Sequence, residues 1–204
     1  MNIDKLKQAE KDFFERYPDG FETPEMKEIS KKHKVKQLVE FAHKNLSPEA
    51  LVNIEEASEN IIKLVTRSSM VSLFEKPKFR DTVRAMNFDE KSVLVEGIFN
   101  LLHGNEEKGF NMLIDILLRY KLAKWTLVTV FRCYYYPNTD LLYKPTTVKN
   151  VIKTYELKDL VYKPRPSYEF FIKYRDAINI MKKQVHESLA PNNAAFSGFL
   201  MMTM

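Results

Sequence analysis

The sequence predicts an all-α protein, a compact multi-helix domain of about eight to ten helices, on three observations. Apolar residues recur at spacings of three and four along most of the chain. Hydroxyl–proline–acid start signals recur, as Thr23-Pro24-Glu25 and Ser47-Pro48-Glu49. Glycine is scarce: 5 in 204 residues, beside 9 prolines, starve an all-β fold of turns and suit helices joined by short loops.

The first helix is expected from Ile3 to Tyr17, with Leu6, Ala9, Phe13 and Tyr17 on one face. Tyr17-Pro18-Asp19-Gly20 then turns the chain, since proline presets φ and Asp-Gly tolerates a positive φ. Thr23 caps a second helix that breaks near Lys34 before Val35, Leu38, Val39, Phe41 and Ala42 form another apolar face. Ser47-Pro48-Glu49 is read as opening a long helix through Val65. The pattern weakens from Ser68 to Asp81, with Lys76-Pro77-Lys78 as a corner. Asn87 or Asp89 caps a helix that runs to Leu102 and stops at His103-Gly104, and Asn105-Glu106-Glu107 starts the next.

Trp125 to Tyr136 is apolar in every direction, which fits a central buried helix. Its β-branched and aromatic content also suits a strand, but no alternation appears and helix is preferred. Leu142-Tyr143-Lys144-Pro145 is echoed nineteen residues later by Val161-Tyr162-Lys163-Pro164. Each leads through a hydroxyl residue into an amphipathic helix, over Val148–Leu157 and Tyr168–His186. The apolar tail from Ala194 to Met204 is costly to leave in water and is expected to dock on the chain's own core or on a partner. The chain is read as one domain over 1–204, with 1–67 and 68–204 as candidate subdomains.

The net charge is +5, and its placement carries more than its size. Ten Lys and Arg face four acids between Leu141 and Lys183, a local excess of six, while the rest of the chain sums to −1. One cysteine, Cys133, rules out an internal disulfide framework. The amino terminus carries no secretory pattern, and no apolar run reaches the roughly 20 residues of a membrane helix. A cytoplasmic location without membrane attachment is the expectation.

No catalytic pattern rises above background. Cys133 reads as a small buried hydrophobe. His33, His43, His103 and His186 lack metal-pair spacing, so no metal or cofactor is expected. Nucleotide loops are absent among the 5 glycines. Lys31-Lys32-His33-Lys34-Val35-Lys36 and Lys76-Pro77-Lys78-Phe79-Arg80 read as solvated basic faces.

The stronger feature is the echoed turn. Lys144, Lys149, Lys163 and Arg165 sit at or near helix starts, whose free N–H groups and dipole favour an anion. Tyr143 and Tyr162 are candidate stacking surfaces. The function expected is binding rather than catalysis, through these residues on nucleic-acid phosphates. The alternative is a protein–protein adaptor or homo-oligomeric scaffold using the apolar tail. A third reading is a nucleic-acid-processing enzyme with Asp140 or Glu169 as its acid.

Overall fold

The structure, a computed structural model, describes Met1 to Met204, the side chain of Ser30 excepted. Among the described residues there are eleven α-helices, two 3-10 turns and no strand. The helices are α1 (Ile3–Arg16), α2 (Pro24–His33), α3 (Val35–Asn45), α4 (Ile54–Arg67), α5 (Glu75–Ala85) and α6 (Phe88–His103). The chain continues with α7 (Glu106–Arg119), α8 (Trp125–Tyr135), α9 (Pro145–Thr154), α10 (Tyr168–Lys182) and α11 (Asn193–Met202).

Most starts follow from capping chemistry. The side chains of Asn2, Thr23, Asn53, Asn87 and Asn105 each accept a backbone N–H of the first turn. Asn87 and Glu90 form a reciprocal capping box. The expected break falls at Lys34, which adopts φ 49° between α2 and α3.

Two starts differ from the sequence reading. Ser47-Pro48-Glu49 opens only a turn, in which Ser47 Oγ accepts from Ala50 N. The helix begins instead after Asn53, whose side chain accepts from Glu56 N and whose first turn carries Glu55 and Glu56. Lys76-Pro77-Lys78 is not a corner but lies in the first turn of α5. A proline there gives up only an N–H that has no partner within the helix.

The segment with strand-like composition is helical. In α8, Thr129 Oγ1 donates to the carbonyl of Trp125 one turn back, and nine of the eleven residues are buried. One apolar cluster runs from Leu6 to Leu200. Contacts between early and late parts of the chain cross it: α3 packs on α8, α4 on α6 and α1 on α11.

The tightest helix pair is α6 against α7. A methyl group at Gly109 would lie 2.1 Å from Leu101 N and 2.7 Å from Gly97 O, both backbone atoms that cannot swing aside. Gly109→Ala is therefore expected to cost about 3 kcal/mol or more, the upper range for overpacking. Chemical denaturation against the wild type measures it, and an unchanged midpoint would mean the helices separate without penalty.

The apolar tail forms α11 and docks on the chain's own core. Phe196, Phe199 and Leu200 are buried, and the Phe199 ring meets Phe13 of α1 edge-on at 5.4 Å. The hydroxyls of Thr203 and Tyr155 lie 3.4 Å apart, and Asn2 N donates to Tyr155 O, so the two chain ends meet at the end of α9. Met201, Met202 and Met204 remain exposed. Among the described residues no helix is long and apolar enough to cross a membrane.

Candidate anion-binding site

The two echoed turns come together on the only tryptophan. Trp125 opens α8 and is 2% exposed. Tyr143 stacks on its indole at 5.4 Å, and Tyr162 packs on it at 6.4 Å. Trp125 Nε1 donates to the carbonyl of Lys163, fixing the second turn. Tyr143 N donates to Thr129 Oγ1, fixing the first. The two turns thus share one aromatic anchor but pack on it differently, Tyr143 stacked and buried, Tyr162 tilted and half-buried.

This packing decides what each predicted residue presents to solvent. Tyr143 is fully buried, and its hydroxyl donates to Phe171 O at 2.6 Å. Burial pushes that phenol well above its ordinary value. Tyr143 is therefore not a stacking surface for a ligand, because Trp125, Phe171 and Tyr174 pack around its buried ring. Tyr162 is half-buried, and the ammonium of Lys149 lies 5.2 Å from its ring centre. Lys149, Lys163 and Arg165 are exposed. Pro166 is buried and anchors the second turn beneath them.

Lys144 is half-buried, and burial holds its ammonium below the usual lysine value. His33 at the end of α2 is lowered first by burial and then by the charge of Lys144, so the two approach each other. Among the described residues, none of Lys144, Lys149, Lys163 and Arg165 forms a salt bridge. The structure thus brings Lys149 to Tyr162 and ties the backbone of Lys163 to Trp125, with Arg165 two residues further along the same turn, while Lys144 is half-buried toward His33. Neither Lys144 nor Ser167 caps its helix through a side-chain hydrogen bond. The hydroxyls expected to close these starts do not: Thr146 and Thr147 fall inside the first turn of α9, and Ser167 accepts no first-turn N–H.

The candidate acids are otherwise engaged. Asp140 has no exposed side-chain surface. Arg132 donates to both of its oxygens, at 2.8 and 3.0 Å, and Arg175 donates to Oδ1 at 3.2 Å. Both guanidiniums also reach Glu106 Oε2, at 2.8 and 2.9 Å, while Tyr168 donates to Glu106 Oε1. Burial pulls the Arg175 guanidinium down, but the hydrogen bond to Glu106 and the two carboxylates outweigh it and raise it. Two cations and two anions close a neutral clamp joining α7, α8, α10 and the loop before α9. Glu169 is exposed and pairs with Lys173 at 2.7 Å.

Sequence reasoning missed this clamp, although a signal was present. Arg132 stands in an apolar run, between Phe131 and Cys133, where a buried cation requires a partner.

The histidines have structural partners, His186 through Ser188. His33 bonds Ser69, His43 bonds Tyr135 O, and His103 bonds Leu46 O. Burial pushes the Cys133 thiol up to about 12, which removes the thiolate needed for nucleophilic chemistry. No group of three or more His, Cys, Asp or Glu able to hold a metal occurs among the described residues. In comparisons with known proteins, the chain matches no family model, no curated protein and no solved structure.

Proposed function

We propose that the protein acts by binding, holding nucleic-acid phosphates on Lys149, Lys163 and Arg165 with Lys144 at the margin, in the cytoplasm. The observation that carries this reading is the convergence of both basic turns on Trp125. Their cations form no salt bridge among the described residues, while Arg132 and Arg175 of the same third of the chain are paired with Asp140 and Glu106. Unpaired, exposed cations on a rigid anchor keep their full attraction for an anion. Cations already neutralised in a clamp contribute little.

The test is binding of fluorescently labelled oligonucleotides by the wild type and by Lys149→Ala/Lys163→Ala/Arg165→Ala. A control removes the same charge at the exposed Lys11, Lys27 and Lys44. The site variant is expected to lose affinity by roughly tenfold or more relative to that control, as for loss of several phosphate contacts. Equal losses in the two variants would reduce the effect to net charge and overturn the site.

A second reading rests on exposed apolar side chains. Leu73 and Phe74, before α5, are 79% and 89% exposed, which suits a protein-docking knob better than the largely buried tail. The enzymatic reading is weakened by the geometry of Asp140, whose oxygens are both taken by arginine.

A further inference from the structure

The start of α5 presents an aromatic ring that no internal packing explains. Phe74 is 89% exposed, and Leu73 beside it 79%. The ring stands on a fixed backbone rather than a loose loop. Phe74 N donates to Ser72 Oγ at 3.2 Å, and Glu75 N and Lys76 N both donate to Ser72 O. The carboxylate of Glu75 accepts from Thr126 Oγ1 at 2.9 Å, in the first turn of α8. Trp125, the residue before Thr126, holds the carbonyl of Lys163 through its indole N–H. Phe74 and the second basic turn are thus tied to two consecutive residues at one end of α8.

The charge around Phe74 selects its occupant. Lys76, Lys78 and Lys124 flank the starts of α5 and α8, and none forms a salt bridge among the described residues. The acids of α5 are engaged, Glu75 by Thr126 and Asp81 by Arg80 at 2.7 Å. At the second turn Glu169 is paired with Lys173, and Lys163 with Arg165 outweighs Asp159. An open ring among unpaired cations suits a ligand that carries both flat rings and negative charge, as a single strand does. A duplex keeps its base faces covered by stacking.

We propose that Phe74 stacks on a base of a single-stranded nucleic acid whose phosphates lie on Lys149, Lys163 and Arg165, an inference that rests on the phosphate reading above. Phenylalanine makes no hydrogen bond to a base edge, so the contact does not select sequence.

The test measures binding of the full chain to labelled oligo(dT) and to a duplex of equal length, at about 50 mM salt. Phe74→Ala is expected to weaken single-strand binding roughly tenfold, as for loss of one stacked base, and to leave duplex binding unchanged. Phe88→Ala removes a ring 61% exposed at the start of α6 and should change neither. Phe74→Trp should keep the single-strand affinity. Its new indole emission should be quenched by the single strand beyond any change in the wild type, whose one tryptophan, Trp125, is buried. Circular dichroism checks the fold of each variant, and the exposure of Phe74 leaves the core untouched.

Single-strand binding that Phe74→Ala leaves unaltered, or that falls equally for the duplex, would overturn the stacking contact and leave the phosphate site standing. Sedimentation with phosphatidylserine vesicles that Phe74→Ala abolishes, with oligonucleotide binding unaffected, would overturn it and assign the ring to a lipid surface. Absence of binding to either nucleic acid would overturn both the stacking contact and the phosphate reading.

Discussion

Ending the chain after Pro191 uncovers Phe13 of α1 and lowers the unfolding midpoint by several degrees. The removed segment carries Phe196, Phe199 and Leu200, all buried, and Phe13 loses its edge-on ring contact. Each such side chain contributes about 1.5–3 kcal/mol of transfer free energy. The ordering entropy returned to the freed residues offsets part of that sum. A point change separates the two effects. Phe199→Ala keeps the helix but removes its central ring, and is expected to cost about 3–5 kcal/mol. At roughly 2–4 °C per kcal/mol for a chain of this size, its Tm falls on the order of 10 °C. Calorimetry measures the shift, and binding of a hydrophobic dye reports the uncovered surface in the truncated form. An unchanged Tm without added dye fluorescence would contradict docking of α11 on its own core.

Asp140→Ala is the second large effect. The substitution leaves Arg132 and Arg175, with 11% and 17% of their side chains exposed, sharing Glu106 as their only carboxylate. Removing one partner of a buried ion pair costs about 3–5 kcal/mol, chiefly from the charge left uncompensated. Arg132→Met/Asp140→Leu removes both charges, so the double variant should be more stable than Asp140→Ala alone. Glu169→Ala breaks an exposed pair in the same region and should leave the denaturation midpoint unchanged. A loss at Asp140 no larger than at Glu169 would mean that the clamp holds nothing together.

The helical plan was legible because it rests on local chemistry. Asn87, Asn105 and Thr23 cap where their sequence positions require, and α8 is helical despite its β-branched content. The errors arose where two local signals competed. Ser47 and Asn53 both offer a start, and the acids that follow Asn53 favour the second. Pro77 resembled a corner because a proline inside the first turn and one between helices look alike in sequence.

At the site, the basic turns were visible as an echo, but their common anchor was not. Nothing local in Trp125 announces that Tyr143 and Tyr162 pack on it from positions far along the chain. That packing also accounts for the misjudged stacking role of Tyr143. A tyrosine beside a lysine reads as surface until the aromatic partner that buries it is known. The clamp of Arg132, Asp140, Arg175 and Glu106 joins four segments, so no spacing rule reveals it.

The salt dependence of nucleic-acid binding tests the phosphate site most directly. Contacts from Lys149, Lys163 and Arg165 to three phosphates of a single strand give a slope of log K against log salt of about −2, from roughly −0.7 per phosphate. The account predicts that slope between about 50 and 200 mM salt. It also predicts that the slope flattens toward zero in Lys149→Ala/Lys163→Ala/Arg165→Ala. A slope unchanged by the triple substitution, or no binding at the lower salt, would contradict it.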